Sequence, residues 1–276
     1  MPRARVVLVH GLRTSATMWR RQLVELARHD VEAVAVDLPG HGKHLGEPFS
    51  VDAAMDEIDR ALNPDDPEAA APRTVGSSAA VPRLLVGLSL GGYLAIEFAA
   101  RHPDRVDGLV AASCGTRPRG IGLTAYQQLA ALIGRLPDKG RGMNDAVAHL
   151  FLSPEAVDDV LSGGVALDVM DPVLRAVGRF DPEAALASID IPVWLVNGQF
   201  DHFRTEERRL LRATRDGRLV VIPGATHLVS LTRPDHFTAV VLGAVAELDR
   251  RAAARRRRRR RAARPPRRWP PSRHPS

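Results

Sequence analysis

The chain of 276 residues contains a single cysteine, Cys114, so no internal disulfide can form. Aromatic residues make up only 4% of it, and no apolar run approaches the ~18 residues that a membrane span requires. The first apolar run, Val6-Val7-Leu8-Val9, is too short for a signal-peptide core and leads straight into His10-Gly11. A cytoplasmic, reducing setting is therefore expected. One region lacks acidic residues altogether: 251–276 holds 12 Arg and no Lys, Asp or Glu. Setting it aside leaves 27 basic and 32 acidic residues in 1–250, a net of −5 against +7 for the whole chain. The folded part is mildly acidic, and the high overall basicity says nothing about its surface.

Six short apolar runs punctuate the chain, at 5–9, 31–36, 83–87, 106–112, 193–197 and 218–222. Nearly continuous apolar character over four to six residues suits strands covered on both faces. Between them lie amphipathic stretches at 18–28, 51–62, 91–101, 205–213 and 234–250. The alternation predicts an α/β fold, a mainly parallel sheet with helices on both faces. Residues 63–81, rich in Pro, Asp, Ala, Gly and Ser, read as a surface loop. The stretch 116–189 has no convincing strand and several helical patterns, for example 124–136 and 143–152. It reads as a helical lid over the sheet's C-terminal edge, where open α/β sheets bind ligands. The expected organisation is a core of 1–115 and 190–250, a lid of 116–189, and a disordered Arg- and Pro-rich tail of 251–276. Seven consecutive arginines, Arg255 to Arg261, repel one another, and the Pro-rich end cannot build a core. Clustered cations can hold polyanions non-specifically, but no RNA- or DNA-reading motif accompanies them.

The most informative segment is Gly87-Leu88-Ser89-Leu90-Gly91, after the apolar run Leu84-Leu85-Val86 and before a helical stretch. A random chain of this composition carries roughly 0.1 copies of such a pentapeptide. A serine on a sharp strand-to-helix turn exposes its hydroxyl above the sheet, and flanking glycines leave room for the turn. That hydroxyl becomes a nucleophile once a base can take its proton. Asp201 lies four residues past one predicted strand, and His227 five residues past the last. Both fall on the same sheet edge as Ser89. Asp201 can alternatively cap the helix starting near Thr205, and His202 and His236 are rivals for the base. His41 and His44 lack a third metal ligand, so no metal is expected.

In order along the chain, His10-Gly11, Trp19, Asp37-Leu38-Pro39-Gly40-His41-Gly42, Gly87 to Gly92, Asn197-Gly198-Gln199-Phe200-Asp201, Gly224-Ala225-Thr226-His227-Leu228, and Pro234 with Phe237 stand out. With them the chain resembles the α/β-hydrolase superfamily, in its capped esterase-like branch, over roughly 4–248. The resemblance implies Ser89 as nucleophile, His227 as base and Asp201 as its orienting acid, the order usual for this fold. It implies an oxyanion hole from the Leu12 and Leu90 amides, a structural role for Asp37 to Gly42, and no cofactor. The expected activity is hydrolysis of a small, mostly apolar carboxylic ester, lactone or thioester through an acyl-enzyme. The same residues also serve carbon–carbon bond hydrolysis and acyl transfer, and the fold can act as a non-catalytic receptor. Arg13 and Tyr126 are the candidate substrate-binding side chains. The apolar spacing of Leu123, Tyr126, Leu129, Ala130, Ile133 and Leu136 suggests packing, with part of the stripe available to line a cleft. No sequence feature reports on oligomeric state.

Overall fold

The computed structural model describes residues 2–64 and 81–262. The expected surface loop at 63–81 lies largely outside the described residues, as does the tail from 263 onward.

Strand β1 (Arg5–Val9) is followed by α1 (Arg20–Arg28), β2 (Glu32–Val36), α2 (Val51–Leu62), β3 (Arg83–Leu88), α3 (Leu90–Arg101) and β4 (Gly108–Ala112). Five helices come next: α4 (Ile121–Gly134), α5 (Arg141–Phe151), α6 (Pro154–Leu161), α7 (Met170–Val177) and α8 (Pro182–Ser188). The chain then returns to the sheet with β5 (Val193–Gly198), α9 (Glu207–Ala213), β6 (Gly217–Ile222), α10 (Val229–Thr232) and α11 (Pro234–Ala262). The six strands form one sheet in the order β2-β1-β3-β4-β5-β6. Every pairing is parallel, with Val9 beside both Val36 and Gly87 and Ala112 beside Val196.

The apolar runs are continuous because both faces are buried. Val7, Val9, Leu85, Leu109 and Leu195 pack with Met55 and Ile58 of α2 and Leu94 and Phe98 of α3. Their neighbours Val6, Leu8, Val86, Val110 and Trp194 pack on the other face with Leu26 of α1 and Phe237, Val241 and Val245 of α11. Trp19 and Phe237 close that side, ring centroids 5.7 Å apart. A chain direction that always returns through a helix brings the C-terminal ends of β1, β3, β4, β5 and β6 to one edge, and the polar loops gather there.

The helices α4–α8 stand where the strandless stretch was expected, anchored by α6 and α7. Thr17 Oγ1 donates to the Asp159 carbonyl at 2.5 Å, and Val169 seats against Gly40. Helices α4 and α7 meet around Ala130, Met170 and Leu174, with Leu12 of the core packed against the same cluster. The expected α4 stripe splits: Leu123 and Ala130 turn inward, while Leu129 and Leu136 face solvent.

The last helix corrects one expectation. A disordered tail from 251 was anticipated, yet α11 runs unbroken to Ala262. Arg and Ala are among the strongest helix formers, and Arg251 is fastened to the body by Asp216 at 2.6 Å and by Glu247, one turn back, at 2.6 Å. Both contacts tie the helix to the body just before the arginine run at 255–261. No helix among the described residues is long and apolar enough to cross a membrane.

Candidate active site

The loop after β3 is built around missing side chains. A Cβ on Gly87 would sit 2.1 Å from the Gly91 carbonyl oxygen, and one on Gly91 would sit 2.2 Å from that of Val9. Only glycine lets β3 turn so abruptly into α3 and lets α3 start so close to β1. Between them Ser89 takes φ 56° and ψ −113°, a strained conformation for a residue with a side chain. Its amide donates to the Ala112 carbonyl at 2.8 Å, which fixes the turn to β4 and leaves the hydroxyl at the edge.

Ser89 Oγ lies 3.0 Å from His227 Nε2, and His227 Nδ1 lies 2.9 Å from Asp201 Oδ1. With Nδ1–H donating to the carboxylate, Nε2 is left to accept the serine proton. Asp201 is 4% exposed. Burial pushes its carboxyl up, but the hydrogen bond and charge of His227 and the Phe203 amide, at 2.8 Å, outweigh burial and hold it below the usual range. The Phe203 bond is a tight turn of the loop itself, so Asp201 does not cap the following helix, whose start carries no side-chain cap.

Neither rival histidine occupies the relay. His202 stacks 5.2 Å from His227, and burial, then the neighbouring imidazole, makes it harder to protonate. His236 is exposed on the first turn of α11. His41 is turned to the Pro39 carbonyl and His44 to Glu47. The turn Asp37 to Gly42 is structural: Asp37 accepts the Ala16 amide at 2.8 Å and the Lys43 amide at 3.2 Å. A Cβ at Gly42, where φ is 54°, would strike that carboxylate.

Gly11 runs against the nucleophile turn: a Cβ added there would lie 3.3 Å from the Leu88 side chain and 3.5 Å from Ser89 Cβ. The next amide belongs to Leu12, and the Leu90 amide opens α3, where the first four N–H groups have no helical partner. Neither amide has an acceptor among the described residues. These two amides are the candidate donors for a developing oxyanion.

Three supporting features were not visible in the sequence pattern. Ser113, at the end of β4, donates to the His227 carbonyl at 2.7 Å. Phe203 lies against the His227 ring, 4.9 Å between centroids. Glu207 holds Arg204 at 2.6 Å and Asn197 at 2.9 Å, and Arg204 donates to the Gln199 carbonyl, which braces the loop carrying Asp201. A strand-end serine, a loop phenylalanine and an i,i+3 ion pair carry no local signature of these roles.

The two expected substrate-binding side chains lie near enough to each other to interact electrostatically. Tyr126 of α4 meets Phe203 edge-on at 6.3 Å. Arg13 follows Leu12 with φ 67°, and its Nη2 makes one long contact, 3.5 Å, to the Lys139 carbonyl. Its Nε is sealed from solvent and has no partner among the described residues. An unmet buried donor is costly, and more so on a charged group.

Residues 6–241 match the alpha/beta hydrolase family. The chain belongs to that family. It is 29% identical over 257 residues to a pimeloyl-[acyl-carrier protein] methyl ester esterase of Neisseria meningitidis, covering 86% of this chain and 91% of that one. It is also 30% identical over 270 residues to part of the polyketide synthase ThaQ of Burkholderia thailandensis, covering 90% of this chain and 12% of ThaQ. Among solved structures, a thermophilic esterase of Thermogutta terrifontis shares the fold with a TM-score of 0.69 and 23% identity, over 90% of this chain and 91% of that one.

Proposed function

We propose that this alpha/beta hydrolase is a serine esterase that cleaves small carboxylic esters through an acyl-enzyme. The observation that carries the reading is the unbroken relay from Ser89 through His227 to the buried Asp201, at 3.0 and 2.9 Å. His227 takes the Ser89 proton as Oγ attacks the carbonyl carbon. Asp201 holds the imidazole in the productive tautomer and balances the charge it gains. The Leu12 and Leu90 amides receive the oxyanion. His227 then protonates the departing alcohol, and water, activated by the same imidazole, releases the acid and frees Ser89. No cofactor enters these steps.

Helices α4–α8 act as the lid. Leu12 packed against Ala130, Met170 and Leu174 supports this, because the side chain beside the oxyanion amide is covered by the insertion. Tyr126 is the lid's contribution to the substrate wall. The partner is a small molecule, and any grip of the arginine-rich end on polyanions is non-specific. The one cysteine, Cys114, is buried and unpaired, in keeping with work in the cytoplasm. The Neisseria relative acts on a methyl ester, which makes methyl esters the first class to assay. Turnover of methyl and 4-nitrophenyl esters by wild type, falling by at least about 10⁴-fold in Ser89→Ala, is the expected result. Hydrolysis within tenfold of wild type in that variant overturns the assignment.

A further inference from the structure

We propose that Arg13 binds a carboxylate carried by the substrate, so that the preferred substrates are half-esters of dicarboxylic acids. The inference rests on the esterase reading for the word substrate, and on the geometry around Arg13 for the carboxylate.

Arg13 follows the amide proposed to hold the oxyanion, so its side chain starts beside the reacting carbonyl. The wall it joins reaches the base: Arg13 neighbours Tyr126 closely enough for the two to interact electrostatically, Tyr126 meets Phe203, and Phe203 lies on His227. The half-buried arginines elsewhere are gripped by acids. Arg117 takes Glu206 at 2.5 Å, Arg204 takes Glu207 at 2.6 Å and Arg251 takes Asp216 at 2.6 Å. Arg13 has no carboxylate oxygen within 4 Å among the described residues, although Asp145 of α5 acts on it from farther away. The nearby Lys139 is already paired with Asp168. Burial makes the Arg13 guanidinium easier to deprotonate than usual, offset only in part by Tyr126 and Asp145. Local backbone needs do not explain the residue either. At φ 67° glycine or asparagine is the low-cost choice, and neither would bring a cation. A planar guanidinium with open donors matches a carboxylate in a two-point fork.

The test pairs monomethyl glutarate and monomethyl adipate with methyl pentanoate and methyl hexanoate, each pair equal in acyl carbon number. The readout is the ratio of kcat/KM, charged over neutral, in wild type, Arg13→Asn and Arg13→Lys. The ratio should fall at least tenfold in Arg13→Asn, through KM, and recover in part in Arg13→Lys. A ratio unchanged within twofold overturns the proposal. Binding gives a reading independent of turnover: calorimetric titration of monomethyl glutarate into Ser89→Ala and into Ser89→Ala with Arg13→Asn. At least tenfold weaker binding in the double variant is expected, and equal binding or none in both overturns the anion site. If wild type turns over none of the four esters, the esterase reading fails. Arg13-dependent binding of monomethyl glutarate would then still uphold the carboxylate site.

Discussion

At the strand edge the relay atoms are paired and the glycines are sterically obligatory, whereas on α4 and α5 large apolar side chains stand in water. Trp19 and Phe237 under the sheet are fully buried, while Leu132 is 62%, Phe151 61% and Leu150 74% exposed. At the sheet edge the Ser89 amide donates to the Ala112 carbonyl of β4, and the Ser113 hydroxyl, just past β4, donates to the His227 carbonyl; neither contact involves the insertion's outer face. The insertion touches the site through few residues, Tyr126 and the cluster around Leu12. On the proposed reading, the sheet edge carries the reaction and the insertion bears on which substrates enter.

The largest contrast should appear in turnover. His227→Ala is expected to cost at least about 10⁴-fold in kcat, with an unchanged melting temperature, because the ring contributes little to the core. A comparable kinetic loss from His202→Ala would move the base and break the comparison. In stability the order should follow burial. Phe237→Ala should cost about 3–5 kcal/mol in chemical unfolding, and Leu132→Ala on α4 no more than about 0.5 kcal/mol. The glycines sharpen the same point. Gly91→Ala forces a methyl to 2.2 Å from the Val9 carbonyl and should cost about 3 kcal/mol, the upper end of overpacking. Gly134→Ala, where nothing lies within 4 Å, should instead stabilise α4 by about 0.5–1 kcal/mol. Equal effects at the two positions would contradict the distinction.

A smaller effect follows pH. His10 is buried with Nε2 accepting the Leu38 amide at 3.0 Å. Burial, then His41, lowers its pKa to about 3. An unfolded histidine gains its proton below about 6.5, the folded one only near 3, so the unfolded chain binds more protons in between. Stability is therefore full above about 6.5 and is lost as pH falls toward 3, at no more than about 1.4 kcal/mol per pH unit for one such group. Melting curves from pH 7 to 4 should show this decline, and it should be shallower in His10→Asn.

All six strands and the three relay residues were legible because each depends on a local pattern: an apolar run, then a polar residue a few positions past its end. Ser113 and Phe203 were not, since their roles arise only when the loops after β4, β5 and β6 meet in space. The inward turn of Leu123 and Ala130 and the outward turn of Leu129 depend on α7, which the α4 sequence does not encode. The reach of α11 to Ala262 is not written in the arginine run itself: Arg251, before that run, is held by Asp216, 35 positions away.

The central claim is that Ser89 is an activated nucleophile at the strand edge. The most direct measurement is treatment with a fluorophosphonate followed by peptide mass spectrometry. A single adduct per chain on Ser89, absent from Ser89→Ala and strongly slowed in His227→Ala, is the predicted result. An adduct on another residue, or none in a protein that still hydrolyses esters, would contradict it.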